Sequence, residues 1–434
     1  MSKTSASASP LRLGIAGLGT VGTGVIKIVQ SQAELLAART GREITISAVS
    51  ARSRDKERGV DIGPYDWEDD AVVLAGRDDV DIFVELMGGS DGPAKAATEA
   101  ALAAGKDVVT ANKALLAIHG QELALQAEGA GSVIRFEAAV AGGIPVIKSL
   151  TEGLAGNEIA RVMGVMNGTC NYILTRMEDA GLPYDEVFAE ADALGFLEAD
   201  PNLDVGGIDA GHKLALLASI AFGTQVDFGA VELEGIGSIT IEDIRAADDM
   251  GYKIKLLGVA QMTGRGLEQR MSPCLVPASS PLGQLQGGTN MVVLEGDAVG
   301  QIVLRGAGAG EGPTASAVMA DILDIARGVR LPTFGQPAST LRKARAARAT
   351  LAAPYYLRMH LVDKPGALAK IASALGEAGI SIDRMRQYGH QDTTAPVLIV
   401  THKTTSSALD EAMMAFEGTG VLVDTPVAIR IEDV

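Results

Sequence analysis

The run Leu11-Arg-Leu-Gly-Ile-Ala16 is a short apolar strand candidate that ends directly in Gly17-Leu18-Gly19-Thr20-Val21-Gly22. Val21, Val25, Ile28 and Val29 then recur at helical spacing. A strand, a tight turn and a helix in that order, with glycine at the first, third and sixth places of the turn, leave few folds open. The first glycine permits the turn, the second lets backbone approach a pyrophosphate, and the third lets helix pack closely on strand. The helix N-terminus adds unpaired N–H groups that suit an anion. A purely structural turn would need the same local order, so the context has to decide between the two.

That context is a repeating alternation. Ile44 to Val49 and Val80 to Leu86 read as further strands, Ala94 to Ala104 as an Ala-rich helix stopped by Gly105, and Asp107 to Thr110 as another strand. Strands alternating with helices predict a doubly wound parallel sheet of Rossmann type, an α/β nucleotide domain over residues 1–135. From Phe136 the texture changes to Gly-rich turns and amphipathic helices, among them Tyr184 to Leu194 and Ala210 to Ala221, with strands at Met291 to Glu295 and Ile302 to Leu304. A mixed-sheet α+β catalytic and dimerisation domain is expected over 136–310. The glycine-rich run Gly306 to Gly312 and the helix Thr314 to Arg327 then return residues 311–345 to the first domain. After the linker Arg342 to Pro354, the pattern is strand (Tyr355 to Leu361), helix (Gly366 to Glu377), strand (Ile380 to Tyr388), strand (Val397 to Thr401), helix (Ser406 to Phe416), strand (Val427 to Ile431). That βαββαβ order predicts a ferredoxin-like unit over 354–434.

Composition removes several classes of function. A formal net charge of -17 disfavours nucleic acid, and no Lys/Arg block stands out. No apolar run reaches the length of a membrane span, and Met1 to Pro10 lacks the hydrophobic segment of a signal peptide, so a cytoplasmic protein is expected. Two cysteines, Cys170 and Cys274, are too few for a disulfide framework or a four-ligand zinc site.

Where a second strand would usually end in an acid for the ribose hydroxyls of NAD, this chain has Ser50-Ala-Arg52-Ser-Arg54. Arg52 and Arg54 suit a 2′-phosphate and favour NADP, with NAD still open. A solvated charged loop is the plainer reading. Farther on, Gly195-Phe-Leu-Glu198-Ala-Asp200-Pro-Asn202-Leu-Asp204-Val205 through Asp209, Gly211 and Lys213 gathers ionisable groups between glycines. A calcium loop is excluded, because Val205 and Gly211 stand where glycine and glutamate are needed. Asp209 and Lys213 share a helix face as an i, i+4 pair. Either they are a surface ion pair or they supply the proton that carbonyl reduction needs, and spacing alone does not choose.

Taken with the glycine turn, these segments resemble the homoserine dehydrogenase family over essentially the whole chain. Thr110-Ala-Asn-Lys113-Ala resembles its cofactor- and substrate-facing lysine motif, and Phe136-Glu137-Ala-Ala-Val140-Ala-Gly142-Gly143-Ile144-Pro145 its inter-domain segment. The resemblance implies a monovalent cation such as sodium on Glu137, Val140, Gly142 and Ile144, where a Gly-rich hinge without an ion is the alternative. It implies substrate contacts at Glu198 and Asp209, a supporting carboxylate at Asp204, Lys213 as proton donor assisted by Lys113, Gly195 near the nicotinamide, and Gly312 on the cofactor side. The implied reaction is reversible reduction of L-aspartate 4-semialdehyde to L-homoserine, in threonine and methionine biosynthesis. The C-terminal unit, with Asp363-Lys-Pro-Gly366-Ala-Leu368 and Ala378-Gly379-Ile-Ser-Ile382, resembles an ACT regulatory domain, which implies an amino-acid effector such as threonine. A homodimer or homotetramer is expected. No kinase-sized segment precedes the dehydrogenase-like part, so a fused kinase is not expected. Cys170 stands where the family commonly has threonine. It reads as a small buried residue, against the rival in which its thiol forms a thioester during aldehyde oxidation. A sensor that keeps the fold without the reaction is the remaining alternative.

Overall fold

The computed structural model describes residues 9–198, 200–348, 351–387 and 393–433. The first sheet contains β1 (Leu11–Ala16), β2 (Ile44–Ser50), β3 (Asp66–Trp67), β4 (Ile82–Glu85), β5 (Asp107–Thr110) and β6 (Ile134–Arg135) in the order β3-β2-β1-β4-β5-β6. Every pairing in it is parallel. Such a sheet is covered on both faces, which is why β1 and β4 read as apolar runs: Leu13, Ile15, Ile82 and Val84 are wholly buried. The polar exception in β1, Arg12, is paired with Asp81 at 2.8 Å. Strand order reverses between β1 and β4, so a crevice opens at the carboxyl ends of those strands, where doubly wound sheets bind their ligands.

The helix Thr20–Ser31 buries Val25, Ile26 and Val29 beside this sheet. The helix Glu311–Ala326 packs on it. Gly24 permits the close approach, since a Cβ there would lie 2.9 Å from the Ala315 methyl.

The second sheet holds β7 (Ile159–Val165), β8 (Glu232–Leu233), β9 (Tyr252–Thr263), β10 (Gly266–Pro277), β11 (Thr289–Gly296), β12 (Gly300–Ala307), β13 (Ala346–Ala347), β14 (Tyr355–Val362), β15 (Ile382–Gln387), β16 (Thr394–Thr401) and β17 (Val427–Ile431). Its main path runs β12-β11-β7-β9-β10-β17-β14-β16-β15, with β8 and β13 also pairing to β10. The βαββαβ unit is present, its strands ordered β17-β14-β16-β15. Its third element ends at Gln387 among the described residues, and Tyr388, which the sequence pattern assigns to that strand, lies outside them. The unit is not a detached module. Parallel pairing of Cys274 with Arg430 and Leu275 with Ile431 joins it to the mixed sheet. Fully buried Asp243 fastens the seam, accepting from Arg358 Nε at 2.6 Å and from the Tyr356 hydroxyl at 3.1 Å.

The helix Ile208–Phe222 lies between the two sheets. It packs against β7, β9 and β10 on one side and the helix Lys113–Ala130 on the other. Gly211 keeps it low on its neighbours, since a Cβ there would sit 2.8 Å from Leu233. Residues Ala210 to Ser219 are consequently all buried, charged ones included. Among the described residues no helix is long and apolar enough to cross a membrane.

Candidate active site

Each glycine of the first turn has its own geometry. Gly17 holds φ +101, and a Cβ there would lie 2.3 Å from the Leu86 carbonyl oxygen. At Gly22 a Cβ would lie 2.0 Å from the Gly17 oxygen, whereas at Gly19 it would meet nothing within 4 Å. Two positions are thus fixed by packing. The third faces open space at the start of the helix Thr20–Ser31, whose N-cap has no side-chain hydrogen bond and whose first turn has no acid. Exposed amides and a positive dipole end without a competing carboxylate suit a phosphate. Gly312 is the second residue of the helix Glu311–Ala326 and also faces open space. The start of this helix lies against the middle of the helix Thr20–Ser31, with Lys27 and Glu311 paired at 2.5 Å.

Arg52 and Arg54 follow the end of β2, next to β1, and both are exposed. The Arg54 guanidinium lies 6.0 Å from the centre of the Trp67 ring and that of Arg58 lies 5.7 Å from it. At the end of β4, Glu85 is buried and accepts from the Thr110 hydroxyl at 2.6 Å and from the Met87 and Gly88 amides. Burial raises its carboxyl, and these bonds oppose the shift. Asn112 caps the next helix through Leu115 N at 3.1 Å and also holds the Gly89 oxygen. That cap places Lys113 at the first position of its helix, aimed at Asp209.

The core of the site is one carboxylate between two ammonium groups. Asp209 Oδ1 lies 3.0 Å from Lys113 Nζ and Oδ2 lies 2.6 Å from Lys213 Nζ. Burial would raise the Asp209 carboxyl, but Lys213 and Lys113 outweigh it and hold the group well below the usual carboxylate range. Burial would lower Lys113, and Asp209 reverses that and raises it. Lys213 also donates to the Met166 carbonyl at 2.8 Å. An ammonium has three N–H donors, so two are committed and one remains. The Asp209–Lys213 pair is therefore not a surface ion pair, its side chains being only 12% and 11% exposed.

Asp204 is buried, and its Oδ2 accepts from the Glu198 amide at 2.9 Å, which ties the segment Gly195 to Glu198 to this cluster. Thr169 adds a second tie through the Phe196 oxygen at 2.9 Å. The Glu198 side chain is exposed, yet near enough to add to the field at Lys113. Gly195 (φ +72) ends the preceding helix and faces open space. Sequence reasoning passed over Asn167 and Asn290. Asn167 donates to Asp204 at 2.8 Å and to Asp209 at 3.2 Å. Asn290 donates to the Met166 oxygen at 3.1 Å, and its own Oδ1 is buried without a partner among the described residues. A visible signal for Asn167 was its place between an apolar strand and a helix, where asparagine caps.

Cys170 is wholly buried, with its Sγ on the Asp204 oxygen at 3.2 Å. Burial and the charges of Asp204 and Asp209 push its thiol well above the ordinary range. A thiolate nucleophile is thereby disfavoured, and the thioester chemistry with it.

The segment Phe136 to Pro145 packs against the returning loop. A Cβ on Gly142 (φ +56) would lie 2.4 Å from the Gly308 oxygen, and the Gly143 amide donates to Ala307 at 3.1 Å. With Gly143 turned to Ala307 and Ile144 N bonded to Ala141 O, neither amide reaches the Val140 or Gly142 oxygens. Glu137 uses both carboxylate oxygens on the Ile147 and Lys148 amides, each at 2.8 Å. Burial and neighbouring Asp321 push that carboxyl up to about 7, against the pull of those amides. Glu137, Val140, Gly142 and Ile144 are buried; the Ile144 oxygen accepts from Val146 N at 2.8 Å and the Glu137 oxygen from Val140 N at 3.5 Å, so each keeps one lone pair, and carbonyls without a cluster of acids suit a monovalent ion more than a divalent one. Among the described residues no group of three or more His, Cys, Asp or Glu side chains forms a metal cluster.

Known proteins match this chain over nearly its whole length. The family model described as homoserine dehydrogenase matches residues 145–323, that of the homoserine dehydrogenase NAD binding domain matches 17–137, and that of the ACT domain matches 355–418. The homoserine dehydrogenase of Neisseria gonorrhoeae is 43% identical over 431 residues, 98% of this chain and 99% of that one. The crystal structure of a homoserine dehydrogenase from Thiobacillus denitrificans has a TM-score of 0.93 at 39% identity, covering 98% of this chain and 99% of its own. A hyperthermophilic archaeal homoserine dehydrogenase in complex with NADPH has a TM-score of 0.64 at 26% identity, covering 75% of this chain and 99% of its own.

Proposed function

Because the chain belongs to the homoserine dehydrogenase family, an NAD(P)-dependent oxidoreductase family acting on a CH–OH group, we propose that it interconverts L-aspartate 4-semialdehyde and L-homoserine at the Lys113–Asp209–Lys213 cluster. Lys213 is the proton donor in reduction and the acceptor in oxidation. The observation that carries this reading is the two-point grip on its Nζ by Asp209 Oδ2 and the Met166 oxygen, which leaves one N–H for a substrate oxygen. A bound nicotinamide supplies the hydride in reduction and takes it up in oxidation. As negative charge develops on the carbonyl oxygen, the Lys213 proton meets it, and the positive charge of Lys113 lowers the cost of the developing alkoxide. Asp209 holds both ammonium groups in register. Glu198 is exposed at the cluster and binds the substrate's ammonium group, while Asp204 holds its loop. Gly17 to Gly22, Gly312 and Gly195 form the cofactor's path from pyrophosphate to nicotinamide.

NADP is the preferred cofactor in this reading. Arg52 lies exposed where a 2′-phosphate would stand and makes no ion pair among the described residues, and the archaeal relative binds NADPH. Replacing Arg52 and Arg54 together with alanine should raise KM for NADPH about 10- to 100-fold and leave KM for NADH nearly unchanged. Equal losses with both cofactors in initial-rate assays would remove the arginines from the 2′-phosphate. The same assay with L-threonine added tests the ACT segment as the effector site, where unchanged rates would rule out threonine.

Residues Glu137, Val140, Gly142 and Ile144 hold a sodium or potassium ion through backbone oxygens, which braces the segment between the two sheets. Exchanging the alkali ions for a bulky organic cation should lower the melting temperature by several degrees and the rate with it, while a divalent-ion chelator leaves both alone. No change on alkali-ion removal would mean that the segment is a bare hinge. The chain assembles as a homodimer or homotetramer, a reading supported by edge strand β12, on which Val303 is 38% exposed. A monomeric mass by light scattering would contradict it.

A further inference from the structure

We propose that Asn167 is a positioning residue of this reaction: its amide, by donating to Asp204 and Asp209 at once, sets the carboxylate that holds Lys213. The inference rests on the reading of Lys213 as proton donor.

Asn167 is 4% exposed, and both polar atoms of its side chain are engaged. Its Oδ1 accepts from Cys170 N at 2.8 Å and caps the helix Gly168–Ala180. Its Nδ2 donates to Asp204 Oδ1 at 2.8 Å and to Asp209 Oδ2 at 3.2 Å. The amide has one possible orientation, because an N–H only donates and an ionised carboxylate only accepts. The two acids therefore meet at a single nitrogen. Without a donor between them, two buried carboxylates this close would repel each other or share a proton.

The Asp209 oxygen that Asn167 holds is the same one that receives Lys213 at 2.6 Å. The residue just before Asn167 supplies the second acceptor for Lys213, the Met166 carbonyl, and Asn290 pins that carbonyl from the far side. One dipeptide thus sets both acceptors of the lysine and, through them, the direction of its third N–H. The titratable groups that meet this amide are Asp204 from the turn Asn202–Val205 and Asp209 from the helix Ile208–Phe222, which also carries Lys213 and His212 close to Asp209. Lys113 faces it from its own helix, and the Cys170 thiol from the helix that Asn167 caps.

Asn167→Asp tests this, because aspartate keeps the shape and the Oδ1 cap but puts an acceptor where the donor was. A third carboxylate there disrupts the cluster while ionised and restores one donor when protonated. In reduction of aspartate semialdehyde, kcat relative to the native enzyme should be down about 100-fold near about pH 9 and recover at least about 10-fold by about pH 6, with KM for NADPH unchanged. A constant fraction of native kcat across that range, or full activity, would show that Asn167 is only a helix cap and would overturn the proposal. Should the Asp variant fail to fold, Asn167→Ser keeps a capping oxygen without the reach to the acids. Its kcat should fall about 10-fold or more at every pH, and native kcat would overturn the proposal equally. Lys213→Ala, assayed alongside, separates the two ideas. An inactive Lys213 variant beside a fully active Asn167 series removes the positioning role alone, whereas an active Lys213 variant removes the reading beneath it.

Discussion

Lys213→Ala is expected to lower kcat for aspartate semialdehyde reduction by about 10³- to 10⁴-fold while NADPH still binds with near-native affinity. The lysine stands at the substrate end in this reading, and among the described residues its Nζ hydrogen-bonds to Asp209 and Met166 alone. Its removal also leaves Asp209 with one ammonium partner, Lys113, instead of two. Some loss of stability therefore accompanies the loss of rate, and the melting temperature should be recorded with the kinetics. Stopped-flow binding of NADPH separates the two effects. A variant that binds NADPH and turns over within about tenfold of the native rate would place the proton elsewhere.

The second large effect is expected at the dinucleotide turn, and it is a contrast between neighbours. Gly17→Ala should abolish measurable cofactor binding and lower the melting temperature. Its Cβ would meet backbone at 2.3 Å in a conformation, φ +101, that alanine rarely adopts. Relief would require pulling the β1 turn away from the end of β4. Gly19→Ala meets nothing within 4 Å, so the protein should melt as the native does. Its methyl would nevertheless stand in the space kept for the pyrophosphate, and cofactor affinity should fall about 10- to 100-fold. Calorimetric titration with NADPH beside thermal melts checks both. If Gly19→Ala bound the cofactor as tightly as the native protein, the open face of the turn would not be where the phosphates lie.

This contrast also shows what was legible in the chain. The glycine turn could be read because each glycine answers a local geometric demand that the sequence displays without its partners. Alternating strands and helices, and the βαββαβ order after residue 354, were readable for the same reason. The hairpin β9–β10 was not. Glu268, Gln269 and Arg270 of β10 are buried, so neither an apolar run nor a clean alternation marks that strand. Arg270 is satisfied by Glu432, close to the other end of the chain. The joining of the two sheets through β10 and β17 was hidden alike, since register between distant strands leaves no local pattern.

The site divides in the same way. Asp209 and Lys213 share a helix face, so their pairing was visible, but whether it faced water or a cleft depends on the helix Lys113–Ala130. Asn167 and Asn290 carried no chemical signal of their own. Their roles come from partners 37, 42 and 124 residues away, which only the folded chain brings within reach. Glu137 entered the reading only through the family resemblance, and the bonds of its carboxylate to the Ile147 and Lys148 amides, 10 and 11 residues on, leave no local pattern in the sequence.

A crystal structure of the enzyme with NADP and L-homoserine bound together tests Lys213 as the proton donor. The homoserine hydroxyl oxygen is expected within about 3 Å of Lys213 Nζ, on the N–H that Asp209 and Met166 leave free, with the substrate carbon facing the nicotinamide. A hydroxyl held by Lys113 or by a water, with Lys213 still turned only to Asp209 and Met166, would contradict it.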